Sequence, residues 1–300
     1  MTSVSYRLNT FLERIVDKVE RSERLDPVAD RAASIAAMPL SSARLRTALS
    51  GTAAGHPIHP VLVTVPIGSW LAALYLDARG GSQSRDAARQ LVGLGIMTAV
   101  PAAMTGASDW AYTTGAERRV GFVHAATNYL GIGLFGMSWL VRGKDRRGAG
   151  VVTAGAGAVA LGLAGWLGGH LSYARGVGVD TTAFQVAPED WTDVLAEEEL
   201  PAETPTLVHA GGVPVLLVRQ HGQLHAIADR CTHRGGPLHE GTVSDGGIVC
   251  PWHASRFCIR DGGVLVGPAP GRSQFMRYAP ATDQSRFVAA MSLARYERIR

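Results

Sequence analysis

Cysteine is scarce in this chain: three residues in 300, at positions 231, 250 and 258. No Cys-x-x-Cys pair occurs, and that is the spacing by which zinc ribbons are read. Two of the three sit in a ligand-like pattern, so a structural disulfide would have to take one of them, which fits a reducing compartment. Cys258 reads as a small buried residue, without a redox role of its own. Charge is also sparse. Asp, Glu, Lys and Arg make up 18% of the chain, and the net charge of +4 is not clustered, which argues against a nucleic-acid partner. The first residues lack the basic-then-apolar order of a signal peptide. Apolar residues reach 46% and mean hydropathy is +0.09, an apolar balance for a soluble protein. Three hundred residues leave room for two domains.

The most informative stretch is Cys231-Thr-His233, followed after sixteen residues by Cys250-Pro-Trp-His253. Two thiolates and two imidazoles at that spacing suit a two-iron, two-sulfide cluster, with Cys231 and Cys250 on one iron and His233 and His253 on the other. Neutral imidazole is the weaker donor and adds no negative charge, so the His-held iron is the easier to reduce. A zinc site built from the same four residues is the alternative.

These residues resemble the Rieske iron–sulfur family, and the resemblance covers roughly the last hundred residues. Gly235-Gly236-Pro237-Leu238 after the first loop and Ser255-Arg256-Phe257 after the second carry it further, as does Gly267-Pro268-Ala269-Pro270. The resemblance implies a small β domain and an electron-transfer role. It also exposes departures. Rieske subunits of quinol oxidoreductases carry a disulfide between the two loops, where this chain has Gly236 and Trp252. They place a tyrosine hydroxyl where this chain has Phe257; losing that hydrogen bond lowers the potential. Ser255 is retained, while Ala254 replaces the usual glycine and asks more of the backbone. The expectation is a ferredoxin-type cluster of low to middling potential.

Upstream, residues 1–50 read as an amphipathic helical segment broken at Asp26-Pro27, lying on a membrane surface or on the C-terminal domain. Four apolar runs follow, near Ile58–Leu76, Leu91–Ser108, Val120–Val141 and Ala149–Leu171, each free of Lys, Arg, Asp and Glu. Each is about twenty residues, enough to cross a hydrocarbon core of roughly 30 Å. Pro66 and Pro101 predict kinks in the first two, and Ala154, Ala158, Gly162, Gly165 and Gly169 favour close packing of the fourth. The predicted fold class is α+β by separate domains: a four-helix transmembrane bundle over 51–175, a linker over 176–205, and an all-β iron–sulfur domain over 206–300. The bundle resembles an uncharacterised family of bacterial four-helix membrane proteins through His-Pro-x-His-Pro at its start and Val65-Pro66-Ile67-Gly68 within it.

Four histidines, His56, His59, His124 and His170, fall in one leaflet of such a bundle. Ionisable groups at membrane depth are expensive and usually functional, and histidines converging from several helices are a means of holding haem b or another metal. His59 with His124 is the first-choice axial pair and His56 with His170 the alternative; four interfacial histidines at headgroup level is the plain reading. Loop charges lean narrowly towards an exported C-terminal domain, but the charged N-terminal segment and the missing disulfide favour the cytoplasmic face of a multi-pass inner membrane for it. Asp190, Trp191 and the acidic run Glu197-Glu198-Glu199 read as solvated surface, as do His209, His221, His225 and His239.

A Rieske cluster serves as an electron carrier or as the first domain of a ring-hydroxylating oxygenase. The latter needs a large iron-binding catalytic domain, for which this sequence has no room. The expected function is a membrane-anchored one-electron carrier, relaying to or from a haem or quinone and working with a reductase, an oxygenase or a respiratory component. The alternative is a redox-sensing or assembly protein whose cluster state alters partner contacts.

Overall fold

A computed structural model describes residues 2–144, 146–186, 192–273, 277–280 and 286–290. Asp190 and Trp191 lie outside them. The chain divides into two compact units, one of residues 1–41 and 58–177, the other of residues 42–57 and 178–300. Residues 42–57 thus group with the C-terminal domain, a placement that composition alone does not suggest.

The first unit is helical. It opens with helices α1 (Thr2–Glu20) and α2 (Asp26–Ala37), with Pro27 in the first turn of α2, where a missing N–H costs nothing. Val16 is buried against Val120, Leu167 and Leu171. Glu20 receives hydrogen bonds from Arg175 and His170, and Arg119 clamps Asp26 through two contacts at 2.6 and 2.7 Å. The amphipathic start therefore covers the helical unit's own residues.

After α3 (Ala43–Ser50), which belongs to the second unit, come α4 (His59–Leu62), α5 (Thr64–Arg79), α6 (Ser82–Trp110), α7 (Gly115–Arg142) and α8 (Arg147–Gly169). The first apolar run is interrupted at Val63, so Pro66 falls in the first turn of α5 and needs no donor partner. Among the described residues, three stretches are long and apolar enough to cross a membrane: His59–Arg79, Ser82–Trp110 and Arg147–Ala174. The expectation was four. Helix α7 has 28 residues, but His124, Thr127 and Asn128 dilute its apolar character.

Inside this unit Trp70 and Phe135 stack at 4.4 Å with their planes 7° apart. Arg142 lies over Asp77, with contacts of 2.8 and 2.5 Å, and both side chains are almost fully buried. Small residues let the helices close: a Cβ at Gly157 would stand 3.0 Å from the Phe135 ring, and one at Gly95 only 2.3 Å from Trp70.

Among the described residues, the second unit holds three antiparallel sheets. Strands β1 (Thr192–Ala196), β10 (Arg286–Ala290) and β9 (Arg277–Pro280) form one; β2 (Thr206–Ala210), β3 (Val213–Gln220) and β4 (Gln223–Ala228) the second. Strands β5 (Thr242–Ser244), β6 (Gly247–Val249), β7 (Arg256–Cys258) and β8 (Val264–Val266) form the third. The run Val215-Leu216-Leu217-Val218 in β3 is apolar without alternation because both of its faces are covered. Val215 and Leu217 pack with Val208, Leu224 and Ala226, while Leu216 and Val218 pack with Ile248, Phe257 and Ile259. Each of the buried leucines contributes about 1.5–3 kcal/mol. The second of these cores also contains Cys231 and Cys250.

Candidate metal centre

Two loops of like construction carry the four donor residues. In the first, which follows β4, the Cys231 N–H donates to Gly236 O at 2.9 Å and the Cys231 carbonyl accepts from Gly235 N at 2.8 Å. In the second, between β6 and β7, the Cys250 N–H donates to Ser255 O at 2.8 Å and the Cys250 carbonyl accepts from Ala254 N at 3.1 Å. Both loops turn through the left-handed region, Gly235 at φ 74° and Ala254 at φ 56°. Glycine takes that conformation freely and alanine does not. The demand that Ala254 places on the backbone is therefore real.

The loops bring the donors together in pairs. Cys231 and Cys250 are buried and share a thiol hydrogen bond. That bond draws Cys250 down to about 6, while the same pairing and burial push Cys231 up. The imidazoles of His233 and His253 meet edge to face, with centroids 4.9 Å apart. Burial, with His253 and Arg234 nearby, pushes His233 down to about 3, and burial beside Arg234 lowers His253 as well. Both rings are accordingly neutral at physiological pH, which is the ligating form.

Among the described residues, no three His, Cys, Asp or Glu side chains converge as they would on a single ion. A tetrahedral zinc site needs four donors around one centre. A sulfur pair and a nitrogen pair fit a two-metal group instead. Gly236 is also fitted to its place, since a Cβ there would stand 3.0 Å from both Cys250 Sγ and the Trp252 ring.

A third segment closes the site. Gly267, at φ 109°, lies so close to Ser255 that a Cβ would fall 2.7 Å from its Cα. Ser255 Oγ accepts a hydrogen bond from Ala269 N at 3.1 Å. Ser50 Oγ and Thr52 Oγ1 both donate to the Gly267 carbonyl, at 2.9 and 2.6 Å, so the C-terminal end of α3 and the residues after it brace the proline loop. Thr181 holds the first loop through its hydroxyl to Cys231 O at 3.0 Å and its N–H to Thr232 O at 3.0 Å. Asp229 accepts from the His239 N–H at 2.7 Å and lies 2.8 Å from its Nδ1, so His239 anchors the loop where the sequence suggested plain surface. Cys258 is half-buried in β7.

The other sequence candidates sit elsewhere. His59 and His124 are half-buried in the helical unit, each with Nδ1 on a backbone carbonyl: Ala102 O at 2.9 Å and Ala164 O at 2.8 Å. His170 Nε2 lies 2.9 Å from Glu20 Oε1, which ties this histidine into an ion-pair network. His56 is exposed and belongs to the second unit.

The family model described as "Rieske [2Fe-2S] domain" matches residues 190–287. A relative, the anthranilate 1,2-dioxygenase ferredoxin subunit of Burkholderia cepacia, is 33% identical over 79 residues, which is 26% of this chain and 73% of that protein. This chain belongs to the Rieske [2Fe-2S] family. A second model, described as "Predicted membrane protein (DUF2231)", matches residues 55–181, so a Rieske domain is joined here to a predicted membrane domain. Apoptosis-inducing factor 3 of Mus musculus is 44% identical over 55 residues, 18% of this chain; the match spans only 9% of that protein's length. Among solved structures, the ferredoxin of carbazole 1,9a-dioxygenase from Nocardioides aromaticivorans IC177 is 24% identical. It is matched over its whole length and 35% of this chain, with a TM-score of 0.33. Family membership implies a [2Fe-2S] cluster and electron transfer, and the paired donors suit that cluster.

Proposed function

We propose that this protein is a membrane-anchored one-electron carrier, with Cys231 and Cys250 on one iron of a [2Fe-2S] cluster and His233 and His253 on the other. The observation that carries the reading is the pairing of two buried thiols and two neutral imidazoles on twin loops under one proline segment. When bound, the cluster supplies reversible one-electron reduction at its histidine-held iron. The chain's own residues do the rest. Burial and Arg234 keep the imidazoles neutral, the loop N–H bonds fix the cysteine backbones, and the Ser255–Ala269 bond holds the cover in place. Trp252, 55% exposed beside Cys250, presents an aromatic face on which a redox protein can dock.

The helical unit is the anchor, a four-span bundle of α4–α5, α6, α7 and α8. What supports the fourth span is the outer surface of α7, where Tyr129, Leu130, Met137 and Leu140 stand exposed like Leu71, Met97 and Val152 on the other helices. Such an apolar belt requires lipid to cover it. The bundle relays electrons to or from a haem or a quinone, and His59 and His124, both within the helical unit, are the histidines that serve it. We place the protein in the inner membrane, crossing it several times, with the Rieske domain in the cytoplasm. A domain with no inter-loop disulfide at Gly236 and Trp252 suits that reducing side. The partner is a reductase, an oxygenase or a respiratory component, by analogy with a ferredoxin that is a dioxygenase subunit.

Redox titration of detergent-purified full-length protein tests this reading. The optical spectrum should bleach and recover reversibly with a one-electron slope, and the protein should resist carbonate extraction from membranes. Absence of a reversible one-electron change would remove the carrier reading; release by carbonate would remove the anchor.

A further inference from the structure

The helical unit is a duplicated two-helix repeat. His59, Trp70 and Asp77 in the first half each find a counterpart 65 residues later, in His124, Phe135 and Arg142. On the following helix of each half the offset is 62 residues: Gly95, Ala102 and Gly106 answer to Gly157, Ala164 and Gly168. The contacts repeat as well as the spacing. His59 Nδ1 meets Ala102 O and its ring lies against Gly106; His124 Nδ1 meets Ala164 O and its ring lies against Gly168. Trp70 fills the space over Gly95 as Phe135 does over Gly157.

Two residues related by a two-fold can touch one another only near its axis. Trp70 stacks on its own counterpart Phe135, and Asp77 pairs with its own counterpart Arg142. Both pairs therefore mark the axis of the repeat. Each histidine precedes its aromatic by eleven residues, about three helical turns, and because Val63 between α4 and α5 keeps right-handed helical angles, both histidines share the stripe that faces that axis. His59 and His124 are thus counterparts across the two-fold. His56 and His170 do not share this relation: the counterpart of His170 is Ser108, and that of His56 is Gly121.

Both rings are set for ligation. A backbone carbonyl only accepts, so each Nδ1 carries the proton and each Nε2 keeps its lone pair. Thr105 Oγ1 lies 3.4 Å from His59 Nδ1; Asn128 Nδ2 lies 3.2 Å from His124 Nε2 and would yield that position to a metal. Among the described residues no group of three His, Cys, Asp or Glu forms here to hold a bare cation. Two opposed neutral imidazoles suit a metal whose remaining four donors come with it, in one flat ring.

We propose that the duplicated bundle holds a haem iron on its two-fold axis, with His59 and His124 as the two axial ligands. This rests on the reading of the bundle as an electron relay and selects haem over quinone within it.

The test is titration of the full-length, cluster-replete protein in detergent with haemin, followed optically and by paramagnetic resonance. The wild type should take up haemin as a low-spin species with two axial nitrogens. His59→Gly and His124→Gly should each lose at least about tenfold in affinity, with millimolar imidazole restoring the low-spin spectrum. His56→Gly and His170→Gly should titrate as the wild type does. If both glycine variants aggregate, the count of axial nitrogens in the wild type decides, two for the proposal and fewer against it. A cluster-replete wild type that takes up no haemin, or a His59→Gly variant that binds it unchanged, would overturn the site. A normal cluster signal in the same sample would leave the carrier reading standing, whereas its absence would count against the carrier alone.

Discussion

Gly235 and Ala254 occupy the same place in the two loops. Each is the residue four after a cysteine, each donates its N–H to that cysteine's carbonyl, and each has positive φ. Only one of them is a glycine. Ala254→Gly should therefore raise stability by about 1 kcal/mol, and Gly235→Ala should lower it by a similar amount. Chemical unfolding of the cluster-loaded protein measures both. A loss of stability in Ala254→Gly would show that the loop conformation is fixed by something other than backbone freedom.

Phe257 is fully buried in the core that contains both cysteines. A hydroxyl at this position, in Phe257→Tyr, should donate towards the sulfur shell and favour the reduced state. One hydrogen bond of about 1.4 kcal/mol corresponds to roughly 60 mV for a one-electron couple, so the midpoint should rise by tens of millivolts. A midpoint that stays put or falls would contradict the low-potential assignment.

The side chains of Asp77 and Arg142 are more than 95% buried and held by two contacts. Removing either partner strands a charge, so Asp77→Leu or Arg142→Leu should cost about 3–5 kcal/mol, while the double variant recovers most of the loss. Thermal unfolding in detergent reads this. Additive losses in the double variant would mean that the pair is not coupled.

Partial burial raises the Glu20 carboxyl, but hydrogen bonds from Arg175 and His170 outweigh that and hold it below its ordinary 4.5. Such a group lends stability above pH 4.5 and loses it as the pH falls through the lowered value. Wild-type protein should therefore lose more thermal stability between pH 7 and pH 3.5 than Glu20→Gln does. Parallel losses would place the acid sensitivity elsewhere.

The pairing of Cys231 with Cys250 and of His233 with His253 was legible because the four lie within two short motifs of fixed spacing. The apolar runs were legible by length, although His124, Thr127 and Asn128 leave α7 less apolar than its neighbours. What the sequence hid was long-range. Thr181 reaches Cys231 across fifty residues, and Ser50 reaches Gly267 across 217. A lone hydroxyl in a loop gives no local sign of a partner so far away. The pairing of β1 with β10 is hidden for the same reason. The repeat was there in the numbering from His59 to His124, but a tryptophan answering to a phenylalanine and an aspartate to an arginine do not look alike until they touch.

The most direct measurement is nitrogen hyperfine spectroscopy of the reduced, detergent-purified protein, with iron and sulfide counted per chain. The account predicts two strongly coupled nitrogens on one iron of a two-iron, two-sulfide centre. One nitrogen should be lost in His233→Cys and one in His253→Cys. A reduced centre with no directly bound nitrogen, or a chain that holds zinc and no sulfide, would contradict it.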